Sequence, residues 1–465
     1  MRRTTACLIT GALCVAGPAS ANIFETFGAG ARVQGMAGAG SAVVDDFNAT
    51  FHNPAGLTLG PASVGLSVGG VFDRTSILLM PRPAGYDPPD YGARLNARAD
   101  TEPGGVTGGV TLGFTLKPFD EDFAVGALIR VPFEGFANID TAYPDEREQY
   151  FSNQLRFSLL GERMRSEVIS LGLSYRWQPW LSMGLGLVML PAVTTHNDIY
   201  TPNAVDPSRV EANFGIEQGV EEAVVAGVIV DPLDWLRIAI SVQDEVYLAV
   251  DARNRILLGG SEDEPIFQSL RVAQHYSPPR LSGAIAVRGE DDWVVTLEST
   301  WKVWSRALDE HASQPAPAFE DTVDFRLGAE LPMGTESSAR FGVGWVPSPV
   351  PDQTGRTNHV DNDRVVVSAG GGRVFEFWDE AFSLDVSVQL HALVTRETHK
   401  TRLAEYADCA PGVTALCDET PDRATDRPGL PARDTVGLQT GNPGFPGFVS
   451  GGYVVHAGVD FKWRF

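Results

Sequence analysis

From Tyr453 to Phe465 the chain reads YVVHAGVDFKWRF. Tyr453, Val455, Ala457, Val459, Phe461, Trp463 and Phe465 share one parity; Val454, His456, Gly458, Asp460, Lys462 and Arg464 share the other. Strand side chains alternate between faces, so this segment is a strand with one apolar, aromatic-tipped face and one mostly polar face. A soluble sandwich would turn the apolar face inward. A membrane barrel turns it outward, toward lipid.

The pattern recurs upstream. Phe382, Leu384, Val386, Val388 and Leu390 oppose Ser383, Asp385, Ser387, Gln389 and His391. Phe325, Leu327, Ala329 and Leu331 oppose Asp324, Arg326, Gly328 and Glu330. Ile169, Leu171, Leu173, Tyr175 and Trp177 oppose Ser170, Gly172, Ser174 and Arg176. Val125, Ala127, Ile129 and Val131 oppose Ala124, Gly126, Leu128 and Arg130. From Pro61 onward such runs amount to about fourteen candidate strands, an even number, each near the ~9–11 residues of a tilted membrane strand.

The connections alternate in length. Lys117–Asp122, Gln178–Trp180, Asp231–Asp234 and Glu376–Ala381 are short, whereas Arg74–Gly105, Pro132–Glu167, Thr194–Gly215, Tyr247–Tyr276 and Arg396–Ser450 are long. Short turns at one end and long loops at the other mark an outer-membrane barrel, and a sandwich gives no reason for them. A charge such as Arg326 on the lipid face would cost roughly 2–4 kcal/mol at the midplane; its parity places it in the lumen.

Met1-Arg2-Arg3, an uncharged run from Thr4 to Gly17 and Ala19-Ser20-Ala21 read as a secretory signal peptide over 1–21, too short to span as a helix. Cys7 and Cys14 leave with it. Cys409 and Cys417 remain, close together in a Gly/Pro/Asp-rich stretch, and in an exported protein such a pair forms one local disulfide. The formal net charge is −23, from 36 basic and 59 acidic residues, and loss of Arg2 and Arg3 makes it two units more negative. Such a chain lacks phosphate-neutralising charge, which excludes nucleic acid as a partner. Mean hydropathy is −0.06, and no segment beyond the signal has the unbroken apolar run of a transmembrane helix. A barrel shows only half of each strand to lipid, so neither value argues against a membrane.

Asn22–Gly60 does not fit the strand pattern. It is rich in Gly and Ala, too short for a separate domain, and reads as a plug inside the barrel. Within it lies Asp45-Asp46-Phe47-Asn48-Ala49-Thr50-Phe51-His52-Asn53-Pro54-Ala55-Gly56-Leu57. Pro54 fixes its own φ and pushes Asn53 to an extended conformation, where the Asn53 amide can hold a rigid turn. Upstream runs Gly28-Ala29-Gly30-Ala31-Arg32-Val33-Gln34-Gly35-Met36-Ala37-Gly38-Ala39-Gly40. Together these resemble the hatch of the FadL-like family of outer-membrane transporters of hydrophobic compounds. Val131-Pro132-Phe133-Glu134-Gly135-Phe136 and Thr141-Ala142-Tyr143-Pro144 resemble that family's third strand and the loop after it, with Glu134 inserted in its usual Pro-Phe-Gly. Tyr276-Ser277-Pro278-Pro279, Trp304-Ser305 and Val360-Asp361-Asn362-Asp363-Arg364 extend the resemblance over nearly the whole mature chain.

The resemblance implies an all-β transmembrane antiparallel barrel of about fourteen strands. Its N-terminal hatch (22–60) plugs the lumen of the barrel (61–465). The resemblance also implies an outer groove, an internal apolar pocket and a kinked third strand that opens sideways. The implied function is passive transport of long-chain fatty acids or aromatic hydrocarbons across the outer membrane of a Gram-negative bacterium, by a monomer without cofactor or metal. Its partners are the hydrophobic ligand, outer-membrane lipid and the barrel-assembly machinery. A barrel enzyme acting on lipids and a surface adhesion barrel are the alternatives.

Candidate ligand contacts are Ile23, Phe24 and Phe27, which serve equally well as hatch packing, and Phe133 beside the third-strand proline. Arg130, on the lumen parity, would meet a ligand carboxylate or, more in keeping with lumen charges, pair with a hatch acid. Phe151, Leu155, Leu159 and Leu160 recur at helical spacing in a long outer loop, as a groove lining or a packed cap. Asn53, Pro54 and Ala55 are the hatch motif. Gly65-Leu66-Ser67-Val68-Gly69 matches G-x-S-x-G but continues an alternating strand, whereas a nucleophile elbow needs a strand, a sharp turn and a helix. The histidines show no close ligand pair for zinc.

Phe465 ends an alternating strand as an assembly signal would, so its deletion should reduce heat-modifiable, assembled barrel; normal assembly without it would count against that role. Reduction of the Cys409–Cys417 bond should raise the mass by two hydrogen atoms and leave the barrel folded, since so short a closed loop gains little from cross-linking.

Overall fold

The structure, a computed structural model, describes residues 23–81, 105–133, 155–157, 159–160, 167–190, 193–199, 211–218, 220–257, 266–308, 314–352, 357, 359–401, 419–420, 439–440 and 444–465. The signal segment, Phe151, Cys409, Cys417 and the stretch following Phe133 lie outside the described residues.

Fourteen antiparallel strands close into a barrel. They are β1 (Ser63–Leu79), β2 (Val106–Leu116), β3 (Phe123–Pro132), β4 (Val168–Gln178), β5 (Leu181–Leu190), β6 (Glu221–Leu233) and β7 (Leu236–Gln243). The second half comprises β8 (Arg280–Arg288), β9 (Val294–Lys302), β10 (Thr322–Pro332), β11 (Ser337–Val346), β12 (Arg364–Phe377), β13 (Glu380–His399) and β14 (Gly447–Arg464). Every strand pairs with its sequence neighbours, and β14 closes the ring against β1 from Ser63↔Arg464 to Leu79↔Phe448. Closure leaves no unpaired edge for lipid to meet.

The alternation in sequence becomes two surfaces. On β13, Val388 is 52% exposed while its neighbour Gln389 is fully buried. Asp385, Arg326, Glu298 and Lys462 likewise face inward and are buried, and Leu327, Leu384 and Phe461 face outward. Phe119, Trp180, Trp235 and Trp378 stand exposed at the short turns, forming the aromatic girdle of one membrane interface.

Three strands run further than their pattern indicates. β1 continues past Phe72 to Leu79, and β13 and β14 reach His399 and back to Gly447, inside segments that read as loops. Arg74-Thr75-Ser76 and Thr395-Arg396-Glu397-Thr398 carry no apolar face because strand projecting beyond the bilayer needs none. Two more of the expected long loops contain a separate four-stranded sheet, in the order Ile266–Ser277, Val246–Leu257, Glu211–Gln218, Val193–Ile199. The helix expected around Leu155 and Leu159 is absent from the described part. Arg156–Phe157 instead pairs in parallel with His359–Val360. Its apolar residues do not share one stripe. Leu155 packs beside Ile77 and Phe448, Leu159 beside Trp304 and Phe319, and Leu160 belongs to the cluster that contains Phe51.

Inside the barrel sit the short helices α1 (Ile23–Phe27), α2 (Ala31–Gln34) and α3 (Ala49–His52), then a 3₁₀ turn at Pro54–Thr58 that leads into β1. Nearly every residue from Ile23 to Gly60 is buried.

Candidate functional site: the hatch and its lumen

The Asn53-Pro54-Ala55 turn docks the hatch on the wall. Asn53 has the extended backbone that Pro54 demands (φ −160°), and its Oδ1 accepts a hydrogen bond from Ala55 N–H at 3.1 Å. Its Nδ2 donates to the Ser41 carbonyl at 3.2 Å and approaches the wall carbonyls of Val228 and Ile240 at 3.4 Å. The wall makes room by omitting side chains. A Cβ on Gly227 would stand 1.9 Å from Asn53 Oδ1, one on Gly184 2.2 Å from Ala55 N, and one on Gly113 2.2 Å from the Phe47 ring. Gly126 holds Leu57 and Gly328 holds Met36 in the same way. These glycines lie on the polar parity of their strands. They were visible in the sequence as members of that face, but their meaning needs the hatch beside them.

Charge completes the docking. Arg32 of α2 bridges Asp45 at 3.0 Å and Glu330 of β10 at 2.9 Å. Glu330 meets Arg340 of β11 at 2.5 Å, and Arg340 meets Asp385 of β13 at 2.7 Å. Lys462 of β14 lies 3.3 Å from Asp385 and 2.5 Å from Asp46. Asp45 and Asp46 are adjacent, so the ion pairs form a ring that leaves the hatch, crosses four wall strands and returns to it. Burial alone would raise the Asp46 carboxyl, but Lys462 more than reverses this and holds it below its ordinary value. Asp460 accepts from Ala31 N–H at 2.8 Å. Four wall arginines donate to hatch carbonyls: Arg326 to Ala37 at 3.2 Å, Arg280 to Phe51 at 3.3 Å, Arg237 to Ala42 at 3.4 Å, and Arg176 to Thr58.

Ile23, Phe24 and Arg130 come together around a cavity of about 20 Å3 shared with Gln34, His456 and Asp460. Phe24 also borders a second, of about 30 Å3, beside Glu25, His52, Arg280, Lys302 and Arg326. Each has room for about one or two waters. Neither is the apolar pocket that the family resemblance implies; both are lined by charge. Phe27 is fully buried, its ring 4.8 Å from that of His391 and 5.0 Å from that of His456. Phe133 is 63% exposed and continues the outward parity of β3, away from both cavities. Leu155 and Leu159 lie in the loop clusters described above. Ser67, from the G-x-S-x-G match, sits within β1 opposite Asp460, with strand continuing on both sides.

Among the described residues, β3 is paired further toward the loop end with β2 than with β4. The described β3–β4 pairs end at Arg130↔Val168, while β3 stays bonded to β2 through Gly109↔Pro132 and through Phe133 N–H to the Gly108 carbonyl. Pro132 has no N–H to offer a further partner.

A closed, lipid-facing barrel with a plug fastened inside it is a membrane barrel of the transport type. A family model described as outer membrane protein transport protein (OMPP1/FadL/TodX) matches residues 12–415, and the chain belongs to that family. Solved structures share the fold at low identity. A Pseudomonas aeruginosa FadL homologue is 16% identical with a TM-score of 0.57, over 97% of this chain and 100% of that one. The P. putida toluene transporter TodX is 14% identical with a TM-score of 0.53, over 95% and 99%. The CymD monoaromatic hydrocarbon channel is 14% identical with a TM-score of 0.51, over 96% and 99%. No curated protein sequence matches this chain.

Gly227→Ala should force the Asn53 amide off the wall, and Asn53→Ala should remove its buried hydrogen bonds, a loss of roughly 1–3 kcal/mol. Both barrels should assemble, because the strand ladder does not depend on the hatch. Limited proteolysis should cut the hatch of either variant while the wild-type hatch resists; equal resistance would show that this turn does not hold the plug.

Proposed function

We propose that the protein carries small hydrophobic molecules, long-chain fatty acids or aromatic hydrocarbons, passively across the outer membrane and releases them sideways through the barrel wall. The reading takes residues 1–21 as a signal peptide, 22–60 as the hatch and 61–465 as the barrel. Its partners are the solute, the surrounding lipid and the machinery that assembles barrels.

The observation that carries the lateral route is a contrast between two exits. The ion-pair ring lies at the turn end of the lumen, and breaking a buried pair costs about 3–5 kcal/mol. An apolar solute offers those charges nothing in return. On the wall, the last described β3–β4 pair, Arg130↔Val168, lies beside the cavity lined by Ile23, Phe24 and Arg130. A solute leaving there passes from apolar hatch side chains into lipid and keeps its apolar area out of water, at ~25 cal/mol per Å2. The relatives named as toluene and monoaromatic hydrocarbon transporters support cargo of this class.

The cavities around Phe24 are water-sized, so passage requires Ile23 and Phe24 to move. Asn53→Ala and Pro54→Gly loosen the plug from which they extend. In cells with equal surface levels of barrel, both should change uptake of a labelled fatty acid or of toluene severalfold. Unchanged uptake in both variants would sink the gating role, and no uptake of either solute class by the wild type would sink the transport reading.

A further inference from the structure

His52 joins α1 to the rest of the hatch. Its Nε2 lies 2.9 Å from Ala29 N–H and 3.2 Å from the Ala29 carbonyl. Ala29 sits between Gly28 and Gly30, both at positive φ (88° and 85°), so the link between α1 and α2 is built from residues that turn freely. The hatch packs against one side of the ring: a Cβ on Gly40 would stand 3.1 Å from Nδ1 and one on Gly28 3.5 Å from Cε1. The shorter contact identifies Nε2 as an acceptor, which requires a neutral ring with its proton on Nδ1.

We propose that His52 is an acid-sensitive latch on the N-terminal helix: neutral, it accepts from Ala29 and holds α1 down; protonated, it lets α1 swing away from the wall. This goes beyond the uptake reading, and its test uses no solute, so the two stand or fall separately.

Facing His52 are Glu25 from α1, Asp46 from its own segment, Arg280 from β8, Glu298 and Lys302 from β9, and Asp324 and Arg326 from β10. Three of the four acids are engaged elsewhere. Asp324 lies 2.7 Å from Lys302, Glu298 accepts from Ser41 N–H and Oγ at 2.8 and 3.0 Å, and Asp46 is held by Lys462. Glu25 shares the cavity with His52 and Arg280. Protonation would therefore add a cation beside Arg280 and Arg326. It would also turn Nε2 into a donor, moving its bond to the Ala29 carbonyl and leaving the buried Ala29 N–H without its acceptor.

Burial first, and the Arg280 charge second, push the His52 pKa from 6.5 down to about 3. A histidine depressed in the closed form stabilises that form above pH 6.5 and withdraws the stabilisation as pH falls from 6.5 toward 3. Between pH 8 and pH 5 the closed form should lose about thirtyfold against the released one.

Hydrogen–deuterium exchange of the 23–30 segment in the intact protein reads this directly, with rates normalised to intrinsic exchange at each pH. Wild-type protection should fall about thirtyfold from pH 8 to pH 5 while the wall strands stay protected. His52→Gln, whose amide oxygen can still accept from Ala29, should show a flat profile. Wild-type protection independent of pH overturns the latch. So does an equal pH response in His52→Gln, and loss of that response in His456→Gln would then assign it to the histidines around Phe27. If His52→Gln leaves the segment unprotected throughout, the wild-type profile decides: onset near pH 6.5 with one-proton steepness supports the latch, and any other onset overturns it.

Discussion

A plug must be held inside a barrel that cannot offer it an oily interior, and the rest of the structure follows from that constraint. Each wall strand already spends one face on lipid. Were its other face apolar too, fourteen strands would cross the periplasm as uniformly hydrophobic segments, each a ready template for aggregation. The lumen face is therefore polar, and the hatch binds it through charge and hydrogen bonds. The ring from Asp45 through Arg32, Glu330, Arg340, Asp385 and Lys462 to Asp46 is the result. Buried ion pairs add little net stability over well-packed apolar groups, yet losing a single partner is costly. Such a ring fixes where the hatch sits more than how strongly it holds.

The two faces of the wall also explain what sequence could and could not show. Lipid demands an unbroken apolar parity, and that demand wrote the alternation of Leu384 through Leu390 and of Tyr453 through Phe465 plainly enough to identify every barrel strand. Where lipid ends, the demand ends. Arg74–Leu79 and Arg396–His399 pair with β14, but nothing in their side chains has to advertise it. The outer four-stranded sheet escaped notice for the same reason: its connections read only as long loops.

The site was legible in outline. The Asn-Pro-Ala sequence and the Gly-rich stretch marked the hatch, and Ile23, Phe24 and Arg130 do converge on one cavity. Phe133 does not, because parity continues through Pro132 and carries its ring outward. Leu155 and Leu159 suggested a helix from spacing alone, and spacing cannot distinguish one stripe from residues sent to different cores. The docking glycines were harder still. Gly113, Gly184 and Gly227 mean nothing on their own strands and acquire a function only when Phe47, Ala55 and Asn53 occupy the space they leave.

A charged lumen and a hydrophobic cargo conflict only if the cargo must travel the length of the lumen. Several of the large apolar side chains of the hatch are gathered at one place. Ile23, Phe24, Phe27 and Phe51 share one cluster with Leu128 of β3, Val168 of β4 and Leu160 of the outer loop. That cluster includes Val168, which forms the last described β3–β4 pair with Arg130. The polar ring occupies the opposite, turn end. Apolar side chains of the hatch thus lie against β3 and β4 in the upper part of the barrel. On the proposed lateral route, this apolar N-terminus would spare a solute the desolvated charges of the ion-paired base.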